Sequence, residues 1–337
     1  MDTQFGFWKQ LQKKAREEGR PILTLAPMAD VTDAAFRRII AKYGKPDVTW
    51  TEFVSADGLC SAGRPVLLRD LAYHESERPI VAQLFTSHPE KMFEAAQLVA
   101  SLGFDGIDIN MGCPDKSIEK QGAGAAHIKN PARAVEVIEA ARRGAPNLPI
   151  SVKTRIGYNT IDLEGWIGSL LALHLPVLTV HLRTRKEMSD VPAQWNIMKT
   201  IVAMRDRISP ETILLGNGDV LSRADAEAKT KESGADGAML GRAIFGNPWL
   251  FNPTISREAI TIPERLCVMV EHTRLFGELL GDIKSFAIMK KHYKAYVHGW
   301  VGSKEFRMQL MEATSIEEVA ELTEAYIKAN PNLTYSD

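Results

Sequence analysis

A cysteine beside a carboxamide, a glycine and a proline is the feature of this sequence best suited to chemistry. The segment Asn110-Met111-Gly112-Cys113-Pro114 follows the apolar run 106–109, which predicts a buried strand. Structural cysteines more often lie within a strand or a helix, so a thiol just past a strand end is placed to act on a bound molecule. The small residues 122–126 come next, and they would let the backbone approach a planar ligand closely.

Short apolar runs alternate with longer amphipathic stretches along most of the chain. The runs predict eight strands, at residues 22–26, 48–52, 80–84, 106–110, 150–154, 177–181, 212–216 and 237–240. Strands this apolar are buried on both faces, and eight strand–helix units favour an α/β fold, the parallel (β/α)8 TIM barrel. The alternative is a doubly wound sheet, which would need a glycine-rich dinucleotide fingerprint after the first strand, and none follows it here.

Functional side chains of such a barrel gather at the C-terminal ends of its strands. Polar or special residues stand at all eight predicted ends. In chain order they are Pro27, Met28 and Ala29; Glu52; Gln83; Asn110; Lys153 and Arg155; His181 and Arg183; Asn217, Gly218 and Asp219; and Gly241 and Arg242. Any one of them is compatible with an ordinary polar strand cap, but the complete set predicts an active site at this face.

The last two strand ends favour a phosphate site, because glycines let backbone N–H groups approach a ligand and Arg242 adds a cation. Two ordinary glycine turns are the alternative interpretation. Lys153 lies on an apolar strand inside the barrel and needs an anionic partner. The amide of Gln83 supplies a donor and an acceptor. Together these groups match a flavin, with its phosphate at the last two strands, Lys153 near N1/O2 of the ring and Gln83 at the ring edge.

The strand–helix alternation stops near residues 252–263, and only helices are predicted beyond it. They cover residues 264–280, 283–298, 303–311 and 315–329, and Ser315 offers a capping box to the last of them. The sequence therefore predicts a helical lead-in over residues 1–20, a barrel over 21–255 and a C-terminal all-helical domain over 263–337.

The predicted helical domain has a local concentration of basic residues. Residues 284–307 contain six Lys or Arg and one acid, with tyrosines and a tryptophan between them. Three of these cations, Lys290, Lys291 and Lys294, fall within one helical turn. Such a face is typical of a nucleic-acid surface, although a solvated helix face explains the charge equally well.

The motifs resemble, in content and order, those of the tRNA-dihydrouridine synthases, and the resemblance covers about residues 22–325. The element Asn-x-Gly-Cys-Pro separates this family from related flavin barrels that share the phosphate loops. The matching segments are Ala26-Pro27-Met28-Ala29, Thr51-Glu52-Phe53-Val54-Ser55-Ala56, Asn110-Met111-Gly112-Cys113-Pro114, Lys153-Thr154-Arg155-Ile156-Gly157, His181-Leu182-Arg183-Thr184-Arg185, Gly216-Asn217-Gly218-Asp219, Gly241-Arg242-Ala243 and Gly246-Asn247-Pro248-Trp249.

The resemblance implies an enzyme that reduces the C5=C6 bond of specific uridines in tRNA to 5,6-dihydrouridine, with FMN as cofactor and NADPH or NADH as reductant. Hydride would pass from N5 of reduced FMN to C6. Cys113 would protonate C5 as a general acid, which requires a neutral thiol with a pKa near its ordinary value of about 8.5. Asn110 would hold the uracil edge. Unstacking the base costs a few kcal/mol, which phosphate contacts of the helical domain would offset.

The expected FMN ligands are the strand-end residues Pro27, Met28, Ala29, Gln83, Lys153, His181, Asn217, Gly218, Asp219, Gly241 and Arg242. The expected substrate contacts are Glu52, Asn110, Arg155, Arg183, Lys290, Lys291 and Lys294.

Several of these assignments have open alternatives. Arg155 and Arg183 either contact an RNA or FMN phosphate or pair with Glu52 or Asp219. Glu52 either lines the uridine pocket or is a buried partner of one of these arginines. His181 either lies near the FMN or is satisfied by the backbone.

The sequence departs from the family pattern after the sixth strand. Leu182 follows His181 where the family usually has glycine, and the loop 186–195 lacks the glycine common there. We therefore expect the rim of the barrel to differ in shape at this position, with consequences for substrate choice.

Length and composition set the remaining limits. The 337 residues suit a barrel of about 250 residues with an appendage. The formal net charge of −1 means that any basic surface must be local. The cysteines Cys60, Cys113 and Cys267 are too far apart for a disulfide framework or a metal-ligand pair, which suggests a reducing compartment. No apolar run approaches 18 residues, so we expect a cytoplasmic monomer without a metal, a membrane segment or an obligate protein partner.

Two other functions are compatible with parts of this sequence. A small-molecule FMN oxidoreductase of the dihydroorotate-dehydrogenase type would share the cofactor chemistry, but it needs no basic helical tail. A non-catalytic RNA-binding protein on the same fold would not need Cys113, Lys153 and both phosphate loops.

Overall fold

The chain folds into two compact units, and the computed structural model describes residues 4–335. The first unit contains the described residues up to Ala29 together with Asp47–Gly241. The second contains Asp30–Pro46 and the described residues from Arg242 onward. Within residues 4–335, no helix combines the length and hydropathy that a membrane crossing requires.

Eight parallel strands form the sheet of the first unit. They are β1 (Ile22–Leu25), β2 (Thr49–Ser55), β3 (Ile80–Phe85), β4 (Gly106–Met111), β5 (Ile150–Arg155), β6 (Val177–His181), β7 (Ile213–Asn217) and β8 (Gly237–Leu240). Their order across the sheet is β1-β8-β7-β6-β5-β4-β3-β2. A parallel bridge between Thr24 of β1 and Val48, the residue before β2, connects the two outermost strands. The predicted (β/α)8 TIM barrel is confirmed.

Helices follow the strands and continue into the second unit. In chain order they are α1 (Trp8–Glu17), α2 (Ala34–Tyr43), α3 (Ala56–Leu59), α4 (Arg64–Asp70), α5 (Pro89–Ser101), α6 (Lys116–Lys120), α7 (Pro131–Gly144), α8 (Gly168–Leu171), α9 (Asn196–Ile208), α10 (Arg223–Ser233), α11 (Ile262–Leu280), α12 (Met289–Tyr296), α13 (Ser303–Glu312) and α14 (Ile316–Ala329). A π-helical segment, Leu163–Ile167, precedes α8.

The N-terminal end of the barrel is filled by apolar side chains. Trp8 of α1 is buried and lies against Trp50 of β2, with 5.9 Å between the ring centroids. The same cluster includes Ile22, Val177 and Ile213, which are the first residues of their strands. This end of the barrel therefore serves stability and leaves the C-terminal strand ends for the site.

The second unit is helical, and it includes a segment that the sequence analysis assigns to the barrel domain. Helix α2 packs on α11, where Phe36 stacks on His272 at a centroid distance of 4.7 Å. Glu271 of α11 accepts hydrogen bonds from Tyr43 at 2.6 Å and from Lys42 at 2.7 Å. The apolar face of α2 is thus buried by helices that come much later in the chain, which local sequence patterns do not reveal.

The predicted helix over residues 283–298 is shorter in the structure. A 3-10 turn, Phe286–Ile288, precedes α12, which ends at Tyr296. Ser285 caps this turn by accepting a hydrogen bond from the Ala287 N–H at 3.3 Å. The chain then turns at Gly299 and Gly302, both with positive φ, before α13 begins.

Candidate active site

Strand register brings the predicted residues of four neighbouring strands to one end of the barrel. Asn110 of β4 lies beside Lys153 of β5. His181 of β6 lies beside both Arg155 of β5 and Asn217 of β7. These side chains therefore form one continuous polar rim at the C-terminal strand ends.

A chain of side-chain hydrogen bonds runs from the barrel interior to the cysteine segment. Gln83 Nε2 donates to Asp108 Oδ2 at 2.6 Å. Asn110 Nδ2 donates to Gln83 Oε1 at 3.0 Å. Asn110 Oδ1 in turn accepts from the backbone N–H groups of Gly112, at 3.1 Å, and Cys113, at 2.9 Å. Both ends of the Asn110 amide thus hold protein groups, and its predicted contact with a uracil edge stays a prediction.

Cys113 is partly buried, and its surroundings favour the neutral thiol. Burial raises its pKa above the ordinary value, and the N–H of Asp115 opposes the shift. The cysteine carbonyl accepts from the N–H of Ala125 at 2.9 Å. Gly124, with φ +60°, lies so close that a Cβ there would be 2.7 Å from the same carbonyl oxygen. The small-residue segment of the sequence therefore supports the cysteine loop directly.

Lys153 of β5 reaches a residue of β7, two strands away in the sheet, rather than open solvent. Its Nζ donates to Asn217 Oδ1 at 3.1 Å, and Asn217 Nδ2 donates to the Met239 carbonyl at 2.8 Å. Burial, and secondarily the charge of Arg155, lowers the pKa of Lys153 to about 8, while the charge of Asp108 opposes the shift. The lysine is thus mostly cationic at neutral pH and loses its proton on mild alkalinisation.

Asp108 is a fully buried carboxyl group that the sequence analysis does not assign to the site. Burial raises its pKa to about 6, although the hydrogen bonds from Ser151 and Gln83 and the charge of Lys153 favour the ionised form. The Ser151 hydroxyl donates to Asp108 Oδ1 at 2.5 Å. In the sequence Asp108 stands within an apolar strand run, and a carboxylate in such a run is itself a signal of a paired interior charge.

The loops after β7 and β8 have the conformation of a backbone cradle. Gly218 has φ +119° and Asp219 has φ +48°. A Cβ on Gly218 would lie 2.8 Å from the Ala193 Cβ and 3.1 Å from His181 Cδ2, so only glycine fits there. A Cβ on Gly241 would lie 3.7 Å from Met28 Sδ, which brings the predicted residues after β1 and β8 together.

The predicted residues after β1, on β2 and after β8 differ in exposure to solvent. Pro27 and Met28 are partly buried and Ala29 is exposed. Glu52 is buried on β2, where the register with β3 shifts between Trp50 and Phe53. Arg242 is exposed and is the first residue of the second unit, so its phosphate contact stays a prediction.

Arg183 is buried and forms an ion pair with Asp219, one of the alternatives predicted from the sequence. It donates to Asp219 and to the Val191 carbonyl, the latter at 2.5 Å. Its Nη1 also lies 3.1 Å from His181 Nε2. A guanidinium only donates, so His181 accepts through Nε2 and carries its proton on Nδ1. These contacts favour a structural role for Arg183 over an RNA contact.

Arg155 is also buried, and backbone carbonyls hold its guanidinium. It donates to Gly112 at 2.8 Å, to Thr184 at 3.1 Å and to Met188 at 2.9 Å. Burial lowers its pKa to about 10, which leaves it cationic at neutral pH. Arg155 therefore ties the cysteine segment to the loop after β6, and this geometry favours a structural role over a phosphate contact.

The rim after β6, where the sequence departs from its family pattern, is closely packed. Leu182 is buried and its carbonyl accepts from the Gln194 N–H at 2.8 Å. The Trp195 indole donates to the Gly218 carbonyl at 2.7 Å. A Cβ on Gly216 would lie 2.4 Å from the Trp195 ring, so the indole covers β7 at this glycine. No local sequence signal marks this anchoring role of Trp195, which follows from contacts with β7.

The three lysines of α12 differ in their surroundings within the second unit. Lys290 donates to the Met311 carbonyl at 2.5 Å, and Lys291 forms an ion pair with Asp30 at 3.7 Å. Lys294 is exposed. The interleaved aromatics Tyr293, Tyr296 and Trp300 are buried in this unit. They are core residues rather than stacking surfaces, so any RNA contact of α12 would have to come from lysine side chains.

The donor set at the barrel mouth fits a planar anionic cofactor with a phosphate group. Lys153 supplies a cation, and the glycine backbone after β7 forms a cradle that a Cβ would fill. Across residues 4–335, no cluster of three or more His, Cys, Asp or Glu side chains is arranged to hold a metal ion. The fold and the site together define an enzyme built on a (β/α)8 barrel.

Comparison with known proteins gives the family. The family model described as Dihydrouridine synthase (Dus) matches residues 24–331. The probable tRNA-dihydrouridine synthase of Staphylococcus aureus (strain MRSA252) is 39% identical over 323 residues, which cover 95% of each chain. The probable tRNA-dihydrouridine synthase 2 of Bacillus subtilis (strain 168) is 36% identical over 323 residues, 95% of this chain and 96% of that one. The chain belongs to the dihydrouridine synthase family of oxidoreductases, as the sequence motifs predicted.

Solved structures of low sequence identity share the barrel fold. A 2-naphthoyl-CoA reductase superposes with a TM-score of 0.52 at 10% identity, over 68% of this chain and 49% of that one. The histamine dehydrogenase of Rhizobium sp. 4-9 superposes with a TM-score of 0.50 at 12% identity, over 75% of this chain and 49% of that one. These similarities support the fold assignment alone.

The protonation state of Cys113 can be measured directly. Because burial raises its pKa, we expect the rate of alkylation by iodoacetamide to reach half its maximum above about pH 8.5, the value for an ordinary thiol. Mass spectrometry of the Cys113 peptide measures the rate, and the exposed Cys267 in the same sample controls for reagent quality. A half-maximal rate below about pH 7.5 would identify a reactive thiolate and contradict the neutral-thiol assignment.

Proposed function

We propose that this protein reduces the C5=C6 bond of specific uridines in tRNA to 5,6-dihydrouridine, using FMN and a nicotinamide donor, NADPH being the expected one. The observation that carries the proposal is the position of Cys113 at the barrel mouth, where Asn110 holds its backbone N–H, Lys153 lies beside Asn110 and partial burial raises the pKa of the thiol. Family membership supports the reaction. The names of the relatives support tRNA as its substrate.

The binding site for FMN is assigned to groups that already lie together at the strand ends. The Lys153 ammonium would face the part of the isoalloxazine ring where negative charge develops on reduction. The backbone around Gly218 and Gly241 would hold the phosphate. Asn217 fixes Lys153 through a 3.1 Å hydrogen bond, so the cation is positioned before the cofactor binds. When bound, FMN supplies the hydride that adds to C6.

The protein supplies the proton and the position of the base. Cys113 keeps its proton at neutral pH, because its partial burial disfavours the thiolate. The thiol would then deliver that proton to C5 of the uracil as a general acid. Arg155 and Asn110 both bind the backbone of the cysteine segment, which positions the residue that carries the thiol. Glu52 is proposed to line the uridine pocket.

The helical second unit is proposed to bind tRNA through exposed lysines. A folded tRNA exposes the target base only after unstacking, at a cost of a few kcal/mol, and phosphate contacts elsewhere would offset that cost. Lys294 is exposed, and Lys291 is exposed beside Asp30. A phosphate that approached Lys291 would have to compete with this carboxylate.

Removal of the lysine cation tests the cofactor assignment. We expect Lys153→Ala to retain less FMN and to reduce it at least ~10-fold more slowly, because a charge-assisted contact contributes about 1.5–3 kcal/mol. Wild-type FMN retention should also weaken as pH rises through about 8, where Lys153 loses its proton. Flavin absorbance after desalting measures retention, and stopped-flow mixing with NADPH measures reduction. Lys153→Arg, which keeps the charge through this range, is the matched control, and an unchanged Lys153→Ala protein would remove the lysine from the site.

Removal of the thiol tests the proton donor. We expect Cys113→Ala to bind FMN and tRNA normally and to accept electrons from NADPH, yet to reoxidise with tRNA about 10²–10⁴-fold more slowly, the usual effect of losing a general acid. Single-turnover flavin absorbance and nucleoside mass spectrometry of the tRNA measure the step. Cys60→Ala, a partly buried cysteine on the same unit, is the control. Reduction of uridine by Cys113→Ala at the wild-type rate would make Cys113 structural.

Neutralisation of three lysines tests the RNA surface. We expect Lys290→Gln/Lys291→Gln/Lys294→Gln to weaken tRNA binding and to flatten the slope of log affinity against log salt by roughly one unit for each phosphate that is no longer bound. Because Lys290 and Lys291 already have protein partners, the weakening should come mainly from the side chains that RNA can reach. FMN content and NADPH oxidation without tRNA should not change.

The matched control for this test lies on α1, at the N-terminal end of the barrel. Lys9→Gln/Lys13→Gln/Lys14→Gln removes the same number of charges from a helix far from α12 in the sequence. It should leave the slope of log affinity against log salt unchanged. If the α12 variant and the wild type had equal tRNA affinity and equal salt dependence, the lysine face of α12 would be merely solvated. The RNA surface would then have to include Arg185 and Lys186 on the rim after β6.

A further inference from the structure

The buried carboxylate of Asp108 has no role in the proposed chemistry. It lies fully buried on β4, two residues before Asn110, and both of its oxygens accept short hydrogen bonds, from Gln83 and from Ser151. The charge of Lys153 on β5 and the indole of Trp50 on β2 also act on it, and both favour the ionised form. A charge this deep inside a barrel is costly, so a role for it should be visible in what it contacts.

The ionised Asp108 determines the orientation of two carboxamides. A carboxylate only accepts hydrogen bonds, so Gln83 must direct its Nε2 toward Asp108 and its Oε1 toward Asn110. Asn110 must then direct its Nδ2 to Gln83, which leaves its Oδ1 for the backbone N–H groups of Gly112 and Cys113. If both amides were reversed, the Asn110 NH2 group would face two N–H donors, and neither bond to the cysteine segment could form.

We propose that Asp108 is a positioning residue, which acts through the side chains of Gln83 and Asn110 to hold the backbone of Cys113 in its reactive place. The catalytic relevance of this inference rests on the proposed function of Cys113. The structural relay itself, from the carboxylate to the two N–H groups, can be tested without any turnover. It assigns a function to a residue that touches neither the cysteine nor the barrel mouth.

The relay makes the hydrogen bonds that position the Cys113 backbone dependent on pH. The pKa of Asp108 is raised to about 6, mainly by burial. Above that pH the carboxylate allows a single orientation of Gln83. Below it the protonated carboxyl becomes a donor as well, and the reversed orientation becomes accessible. The N–H groups of Gly112 and Cys113 should therefore lose protection as pH falls through about 6, a step across which Lys153, the neighbouring charge, stays mostly protonated.

The experiment is hydrogen–deuterium exchange of the full-length protein as purified, followed in the peptide that contains Gly112 and Cys113. Exchange rates between about pH 5 and pH 8 are corrected for the intrinsic pH dependence of amide exchange. We expect wild-type protection to fall about fivefold to tenfold across a step near pH 6, the effect of losing one or two hydrogen bonds. In Asp108→Asn the step should disappear and protection should remain between the two wild-type limits, because the carboxamide allows both orientations at every pH.

Two further variants separate the relay from a general loss of packing. Ser151→Ala removes a donor that favours the ionised form of Asp108, so the step should persist and move to higher pH. Gln83→Met removes the relay itself, so protection should be low at every pH with no step. An unfolding effect would instead raise exchange in many peptides at once, including those of β7 and β8.

The outcomes distinguish this inference from the proposed function. No wild-type step near pH 6, or a step that survives in Gln83→Met, would overturn the relay. A step that behaves as expected supports it, and Asp108→Asn should then slow uridine reduction about fivefold to tenfold while its affinity for tRNA stays unchanged. If the wild-type enzyme forms no dihydrouridine at all, the proposed function fails. If wild type and Asp108→Asn form it at equal rates, the catalytic part of the inference fails instead.

Discussion

Closure of the sheet removes water from the interior of the barrel, and the rest of the site depends on this constraint. Polar side chains in the interior therefore favour partners on other strands, since a buried polar group without a hydrogen bond costs about 1–3 kcal/mol. Lys153 therefore reaches Asn217, and Asp108 is held between Gln83 and Ser151. A site assembled in this way is rigid before any ligand arrives, which reduces the ordering cost that binding or catalysis would otherwise carry.

The arginines of the rim show the same constraint acting on the loops. Arg155 and Arg183 are buried, and their donors are used by backbone carbonyls, Asp219 and His181. They fasten the loop after β6 to the cysteine segment and to the cradle after β7. The same rim is closely packed at Leu182, which is buried, and at Gly216, which the Trp195 ring covers. Strand-end arginines are therefore weaker indicators of phosphate binding than their charge suggests.

The positions of the strands could be predicted from the sequence, but the side-chain contacts between strands could not. All eight strands were predicted to within a few residues, because each is an apolar run buried on both faces and bounded by turns. The neighbours of Asp108 could not be predicted, since they come from strand register, which places Gln83 and Ser151 opposite it. The membership of α2 in the helical unit was not predicted either, because contacts between distant parts of the chain are not visible in local sequence patterns. Its contacts with α11 join residues more than two hundred positions apart, as in the 229-residue separation of Lys42 and Glu271.

The composition of the helical unit limits which groups can carry its positive charge. His272 and His292 are buried against Phe36, and burial lowers the pKa of His292 to about 3. Neither imidazole would be protonated near neutral pH, since burial also holds the pKa of His272 well below its ordinary value. The basic character of this unit is therefore carried by lysine and arginine, whose charge does not change between pH 5 and pH 8. In the barrel, by contrast, the pKa values of Asp108 and Lys153 are about 6 and about 8, so these two groups are expected to give the proposed reaction a pH dependence within that range.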